Sequence, residues 1–389
     1  MRLLYVSADP GIPVLGHKGA SVHLRELVTA LTAEGARVAV ASPRVASEGD
    51  RLDAPVDLIE LEPVVAKEHS SAASVRAAME RQAQQVMRIA VHVGVDAVYE
   101  RYSLYSLAAA QAAQALRLPY VLEVNAPLRD EARRFRSLAY PDMAAEIEAR
   151  VYLAADRIFV VSRPLAKLLV GAGVDRGKVE VMRNAVTPDR FPARRHHGPG
   201  LTVGFAGSLK PWHGVEVLTD AVTAAAQKVF DLRLEVVGDG PLARVLDRVN
   251  LPPERFRRYG ARPHAETLKI LSSWDIGVAP YVATCPTFYF SPLKVVEYMA
   301  AGACPVASDL GDIRSLLGDE ERGILVPPGD ASALTSALIE LARDRRRLAS
   351  IGARARKYAH ASLSWRGNAR RVLDCLGSAP ARGLVHARG

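Results

Sequence analysis

Lys294 and Glu297 stand three residues apart in FSPLKVVEYMAAGA, Phe290 to Ala303, and between them they suit two parts of one small molecule. Local signals predict a helix here, with Ser291 as N-cap, Pro292 at the first helical position and Gly302 as the left-handed residue past its end. Lys294 then falls in the first turn, where a cation opposes the positive end of the helix dipole. An anion held between the ammonium and the free N–H groups would resolve that conflict. Glu297 lies a turn deeper among Val295, Val296, Tyr298 and Met299, where a carboxylate could accept from sugar hydroxyls. Anion plus polyol describes a nucleotide sugar. The competing reading is an (i, i+3) Lys294–Glu297 pair worth roughly 0.2–0.5 kcal/mol.

Three loops could supply the rest of such a site. PGIPVLGHKGAS carries Gly11, Gly16 and Gly19 into a helix at Ser21, letting backbone approach a ligand beside free N–H groups. The GxGxxG spacing of dinucleotide enzymes is absent from it. GSLKPWHG, Gly207 to Gly214, sets Lys210 and His213 beside a helix start, and GDGPL, Gly238 to Leu242, is a turn that opens another. His23, on the first helix, reads as a satisfied structural histidine.

Strand-like and helix-like patterns alternate through the chain, which argues for parallel sheets covered by helices. In the first half the strands are Leu3–Ala8, Arg37–Ala41, Ala97–Tyr99, Tyr120–Val124, Arg157–Val161 and Lys178–Met182, with a helix over Ser21–Glu34. Thr187–Gly200, TPDRFPARRHHGPG, has three prolines and no periodicity and reads as a linker. Its His196 and His197 read as solvated, not as a metal pair. Beyond it the strands are Thr202–Gly207, Arg233–Val237, Arg257–Tyr259, Ile276–Pro280 and Cys304–Ala307. The expected class is α/β, two doubly wound Rossmann-like domains facing across a cleft. Residues 1–187 form the first, 188–200 the linker and 201–361 the second, with 362–389 a helix crossing back to the first plus a basic tail. Ligands in such sheets collect outside the carboxyl ends of strands, where the three loops fall.

At 389 residues the chain is long for one core. Its net charge of +9 is uneven: Arg343 to Gly389 holds twelve basic residues against Asp344 and Asp374. Only Tyr358 and Trp365 accompany those arginines, so the interleaved stacking aromatics of a nucleic-acid surface are missing. Solvated helix faces, or contact with an anionic membrane, remain for the segment. Cys285, Cys304 and Cys375 show no metal or redox spacing, which suits a reducing compartment. No apolar run is long enough to span a bilayer, and MRLLYVSADPG reads as a first strand, not a signal peptide. A cytoplasmic protein, at most peripheral to a membrane, is expected.

As a set, GASVHLREL, GFAGSLKPWHGVEVL, LEVVGDGP, YGARPHAETL, WDIGVAPY, SPLKVVEYMAAG and ILVPPGD resemble the retaining GT-B glycosyltransferases of glycosyltransferase family four, in order and spacing. The resemblance implies transfer of a hexosyl group from a nucleoside-diphosphate sugar, a UDP sugar first among them, to an acceptor hydroxyl. No cofactor is implied. No Asp-x-Asp pair stands in the chain, so metal independence is expected. Position by position, the resemblance gives Glu297 the ribose hydroxyls and Lys210, Lys294 and His213 the diphosphate. It adds Gly19, Gly207 and Ser208 near the phosphates, Arg262 where backbone meets the base, and Tyr289, Phe290, Ser291 and Leu293 around the sugar. On the acceptor side it points to Asn125, Glu100 and Arg101, with a lipid-linked, polysaccharide or small-molecule acceptor. LRDEARRFR, Leu128 to Arg136, lines that side or is a solvated face.

The chain departs from the family pattern. Tyr289 replaces the first glutamate of the paired motif, as in an SPLK-type branch, Asn125 stands for a frequent histidine, and Ser208 for a frequent arginine. The usual Asn-Gly-Val-Asp turn reads Asn184, Ala185, Val186, Thr187. Two other readings use the same scaffold: a sugar-nucleotide epimerase or sugar phosphorylase, and a non-catalytic nucleotide-sugar-binding protein.

Overall fold

The computed structural model describes residues 1–16, 18–45, 52, 54–193, 200–284 and 287–378. Much of the expected linker, with His196 and His197, lies outside the described residues, as do Cys285 and the tail beyond 378. Two compact units emerge, residues 1–183 with 365–389, and residues 184–364.

The first unit is built on seven strands: β1 (Arg2–Ser7), β2 (Arg37–Ser42), β3 (Asp57–Glu60), β4 (Ala97–Arg101), β5 (Tyr120–Val124), β6 (Arg157–Val160) and β7 (Val179–Val181). They are ordered β3-β2-β1-β4-β5-β6-β7, and the described pairings are parallel. The second carries β8 (Leu201–Ala206), β9 (Leu232–Val237), β10 (Phe256–Gly260), β11 (Ile276–Ala279), β12 (Cys304–Ser308) and β13 (Ile324–Val326), ordered β10-β9-β8-β11-β12-β13. Both orders reverse direction once, beside β1 and β4 and beside β8 and β11. A doubly wound sheet opens its ligand crevice at such a reversal.

Continuous apolar runs make the central strands, because helices cover both faces. On one face of the second sheet, Leu218 and Val222 of helix Val215–Ala226 and Leu334 and Leu338 of helix Ala331–Arg343 pack on Val203, Phe205 and Leu234. On the other, Leu268 and Leu271 of helix His264–Leu271 and Val295 and Met299 of helix Leu293–Ala301 pack with Trp274.

The unit boundary differs from the expected linker. Asn184 donates its N–H to Ser291 Oγ at 3.0 Å and its Nδ2 to the Ser291 carbonyl at 2.7 Å. Val186 N–H donates to Leu363 O at 2.9 Å and bridges Ser364. These bonds tie the segment after Arg183 to the second unit. Helix Trp365–Ser378 belongs to the first, packing on helix Gly19–Ala33 with Trp365, Val372 and Leu376 buried. Of the basic segment, Arg366 and Arg370 pair with Glu34, and Arg371 pairs with Glu180. Those three cations therefore serve intradomain ion pairs.

Candidate active site

The carboxyl ends of β8 and β11 meet the start of helix Leu293–Ala301 in the second unit. This helix begins one residue later than its sequence implies. Pro292 is the N-cap, with an extended backbone, while the Ser291 hydroxyl that should have capped it is taken by Asn184. Gly302 does end the helix in the left-handed region, at φ 78°. No acidic side chain stands in the first turn and no side chain caps it, so its N–H groups add only positive potential.

Into that potential the chain places Lys294. Its ammonium is buried and meets no hydrogen-bond partner among the described residues. It lies 4.3 Å from the ring centre of Phe205 and 5.2 Å from that of Tyr281, so aromatic faces give it partial compensation. Burial lowers its pKa from 10.5 to about 7, with Glu297 pulling the other way. The Lys294–Glu297 pair of the competing reading does not form. Glu297 instead receives His264 Nε2 on Oε1 at 2.7 Å.

Backbone closes around this cation. A Cβ on Gly207 would stand 2.6 Å from Lys294 Nζ, which measures how near the loop after β8 comes. Gly238, after β9, has φ 125°, and a Cβ there would meet the Gly207 carbonyl oxygen at 1.9 Å, so only glycine lets the two loops stack. Leu242 N–H donates to Leu209 O at 3.0 Å and fastens the pair. The turn after Gly238 leads into a 3-10 helix, Ala243–Arg248, where the sequence reading placed an ordinary helix.

His213 does not bring the positive charge its sequence position implied. Burial, then Lys294, then Lys210, hold its pKa down to about 2, and its buried Nδ1 has no partner among the described residues. It is a neutral group against the Lys294 ammonium. Lys210 is exposed, its ammonium 4.9 Å from the Trp212 ring centre. Ser208 and Arg262 are exposed on their loops, and Phe290, Ser291 and Leu293 are half-buried. Tyr289 is buried against Phe290 at 4.5 Å between centroids, so the phenol belongs to an aromatic lip with Phe288. Sequence reasoning missed Phe205 and Tyr281 beside Lys294 and His264 beside Glu297, because strand ends and a helix start carry no spacing that marks them as neighbours.

In the first unit, Gly19 is exposed and opens its helix. Asn125 follows β5 with Oδ1 buried and no donor to it among the described residues. The other two acceptor candidates are corrected by their burial. Glu100 is fully buried on β4, accepting from the Tyr120 hydroxyl, and burial raises its pKa to about 8 despite that bond. Arg101 is buried and donates to Glu123 Oε1 at 3.1 Å. His23 Nε2 reaches the same oxygen at 2.9 Å, and Tyr99 donates to Oε2 at 2.5 Å. Burial would raise the Glu123 pKa, but His23, Arg101 and Tyr99 together lower it to about 2. The period-2 pattern sends Glu100 and Arg101 to opposite faces of a sheet covered on both, so neither reaches an acceptor. Of the segment Leu128–Arg136, Arg129 pairs with Glu148 at 3.4 Å while Arg133, Arg134 and Arg136 are exposed.

Two parallel-sheet α/β domains, the second with a buried cation and glycine loops at its chain reversal, define the GT-B class. HepE of Anabaena, solved with UDP-glucose, shares this fold at TM-score 0.72 over 97% of this chain and 100% of its own, with 18% identity. The sequence model described as "Glycosyltransferase Family 4" matches residues 17–190, and that described as "Glycosyl transferases group 1" matches residues 200–344. Together these two matches span most of the chain and, with the shared fold, support a glycosyltransferase of family four. It is 36% identical to the phosphatidyl-myo-inositol mannosyltransferase of Mycobacterium leprae, over 41% of this chain and 43% of that protein. It thus spans under half the length of that relative. With the D-inositol 3-phosphate glycosyltransferase of Stackebrandtia nassauensis it shares 26% identity over 75% of this chain and 70% of that one. Among the described residues no helix is long and apolar enough to cross a membrane.

Proposed function

We propose that the protein transfers a hexosyl group from a nucleoside-diphosphate sugar to an acceptor hydroxyl, with retention at the anomeric carbon and without a metal. One observation carries this reading: the buried Lys294 ammonium, unpartnered at a helix start whose N–H groups also lack an anion. A diphosphate satisfies both. As the glycosidic C–O bond breaks, negative charge collects on the leaving phosphate, and Lys294, the helix start and exposed Lys210 stabilise it more than they stabilise the ground state. The leaving phosphate oxygen can take the acceptor hydroxyl's proton while the acceptor oxygen bonds the anomeric carbon from the same face. Neutral His213 orients the site and takes no proton. Glu297 accepts from the ribose hydroxyls, and Asn125 is the remaining acceptor-side residue. In this reading fixed cations replace the charge of a divalent ion.

UDP-glucose is the first donor to test, given the HepE complex. GDP-mannose is the second, given the mannosyltransferases among the relatives. The relatives' names point to inositol-type acceptors, lipid-linked or phosphorylated. A thermal-shift panel of nucleotide sugars, followed by transfer assays with and without EDTA, tests the proposal. One nucleotide sugar should raise the melting temperature, and transfer should survive EDTA with the α-configuration kept. Tight donor binding with no transfer to any inositol acceptor, but release of free sugar phosphate, would favour a phosphorylase instead.

A further inference from the structure

Glu297 lies on helix Leu293–Ala301 and His264 opens the neighbouring helix His264–Leu271, and the two side chains meet across the helix–helix contact. The contact is short, 2.7 Å from Nε2 to Oε1, and the side chains are only 14% and 9% exposed. From this juxtaposition we infer that His264 is a positioning residue for ribose recognition, acting by fixing the carboxylate of Glu297; the inference rests on the ribose role proposed for Glu297.

The physical case starts from what an unheld glutamate would do. Three side-chain torsions separate its carboxylate from the backbone, and a diol that bound it would have to freeze them. His264 freezes them beforehand, so less freedom is lost on binding and more of the hydrogen-bond energy appears as affinity. The carboxylate is not exhausted by this contact. Each oxygen carries two lone pairs, and one ring N–H occupies one of the four. Partial burial makes each remaining hydrogen bond stronger than it would be in water.

The position of His264 is itself fixed. Pro263 precedes it in an extended conformation, and Leu268 and Leu271 bury the rest of its helix against the second core. The pair is therefore anchored from two helices, as a site held by its neighbours should be.

The test uses UDP and GDP with their 2′-deoxy and 3′-deoxy forms, titrated into the full-length protein, and reads the ratio of Kd for deoxy over ribo. Wild type should discriminate by about tenfold or more, the scale of one charge-assisted hydrogen bond. Glu297→Ala should abolish the ratio. His264→Ala should bring it to within about threefold of the Glu297→Ala value, raising donor KM while kcat changes little, and His264→Gln, which keeps a side-chain N–H, should restore part of it. Melting temperatures should stay within about 2 °C of wild type in both His264 variants. A wild-type ratio in His264→Ala would overturn the inference and leave Glu297 as the ribose ligand. A wild-type ratio in Glu297→Ala would instead remove the ribose reading and this inference with it. Loss of kcat at unchanged KM in His264→Ala would also overturn it.

Discussion

The two domains share one strand order over six strands, the first adding β7 at its edge, and treat their chain reversals in opposite ways. At the reversal in the first, Glu123 answers Arg101 and His23 within 3.1 Å and 2.9 Å. At the reversal in the second, Lys294 has aromatic faces and no acceptor among the described residues. A protein interior tolerates buried ions when they are matched, and an unmatched one signals a missing partner. The first domain's cluster is then a structural joint, stacked beneath Trp365, whose indole meets the His23 ring edge-on at 4.7 Å. On the proposed function, the second domain's cation is a stability cost retained for the diphosphate. The same contrast separates residues that look chemical in sequence from residues that can act.

The largest effect should come from breaking the matched cluster. Glu123→Ala strands the buried Arg101 guanidinium and removes the partner of the His23 ring, and should destabilise by about 3–5 kcal/mol, seen as a fall in chemical-denaturation midpoint. The Glu123 pKa of about 2 lies below the ordinary carboxyl value, so its stabilisation is complete above pH ~4.5 and disappears as pH falls toward 2. Acid unfolding of wild type should therefore steepen in that window. An Ala variant as stable as wild type would mean that the joint is solvated, and the comparison would lose its first half.

Removing the unmatched cation should do the reverse to stability and worse to activity. Lys294→Met should lower kcat by about 10²–10³, on the order of 3 kcal/mol of barrier. It should leave the ligand-free protein as stable or more so, because burial holds the Lys294 pKa near 7. Between pH 7 and 10.5 the unfolded chain binds the extra proton, so wild type gains stability as pH rises there and the Met variant does not. Nucleotide affinity has the opposite sign. An anion raises the lysine's pKa, so Kd should weaken above pH 7, measured by calorimetry against pH. A Met variant with unchanged kcat would show that the aromatic faces suffice for Lys294 and that no anion is needed.

Glu100 is the first domain's exception, and it sharpens the comparison. It has a single partner, Tyr120, and Oε1 meets none among the described residues. Its pKa of about 8 is raised, so the folded state holds a proton that the unfolded state releases above pH ~4.5. Stability from this group is full below that value and is lost as pH rises through 8, with a ceiling of a few kcal/mol. Glu100→Gln should flatten the melting-temperature profile between pH 5 and 9 and exceed wild type at the alkaline end. A profile that kept its slope would assign the slope elsewhere.

Much of this was readable from residues alone, and the omissions have a pattern. The central strands were legible because each is a buried, mostly apolar run; Tyr120–Val124 falls as expected even with Glu123 inside it. The two missed strands, Asp57–Glu60 and Ile324–Val326, are short sheet edges, and the first is nowhere fully buried. Lys294 was legible as a cation in the wrong part of a helix. That Glu297 faces His264 was not, because 33 residues and a strand separate them. Glu100 and Arg101 were misjudged because a strand's carboxyl end marks a ligand crevice in general while the pleat decides each side chain's face. The Ser291 cap failed because a long-range partner, Asn184, outcompeted the local N–H groups.

The smallest effect should fall on the basic segment. Arg366 and Arg370 both engage Glu34, whose pKa is lowered first by hydrogen bonding to Arg370 and then to Arg366. The arginines of these pairs are exposed, so the pairs give little stability, and salt screens what they give. Glu34→Gln should shift the melting temperature by about 1 °C or less, and that shift should vanish at 1 M salt. What it should change is the surface, since two guanidinium groups lose their counter-charge at one end of the first domain. If the C-terminal arginines are reserved for their own domain, wild type should bind anionic vesicles weakly at 0.15 M salt and Glu34→Gln more strongly. Equal, strong, salt-sensitive binding by both proteins would show that the cations serving a membrane lie elsewhere, with exposed Arg133, Arg134 and Arg136 the next to replace.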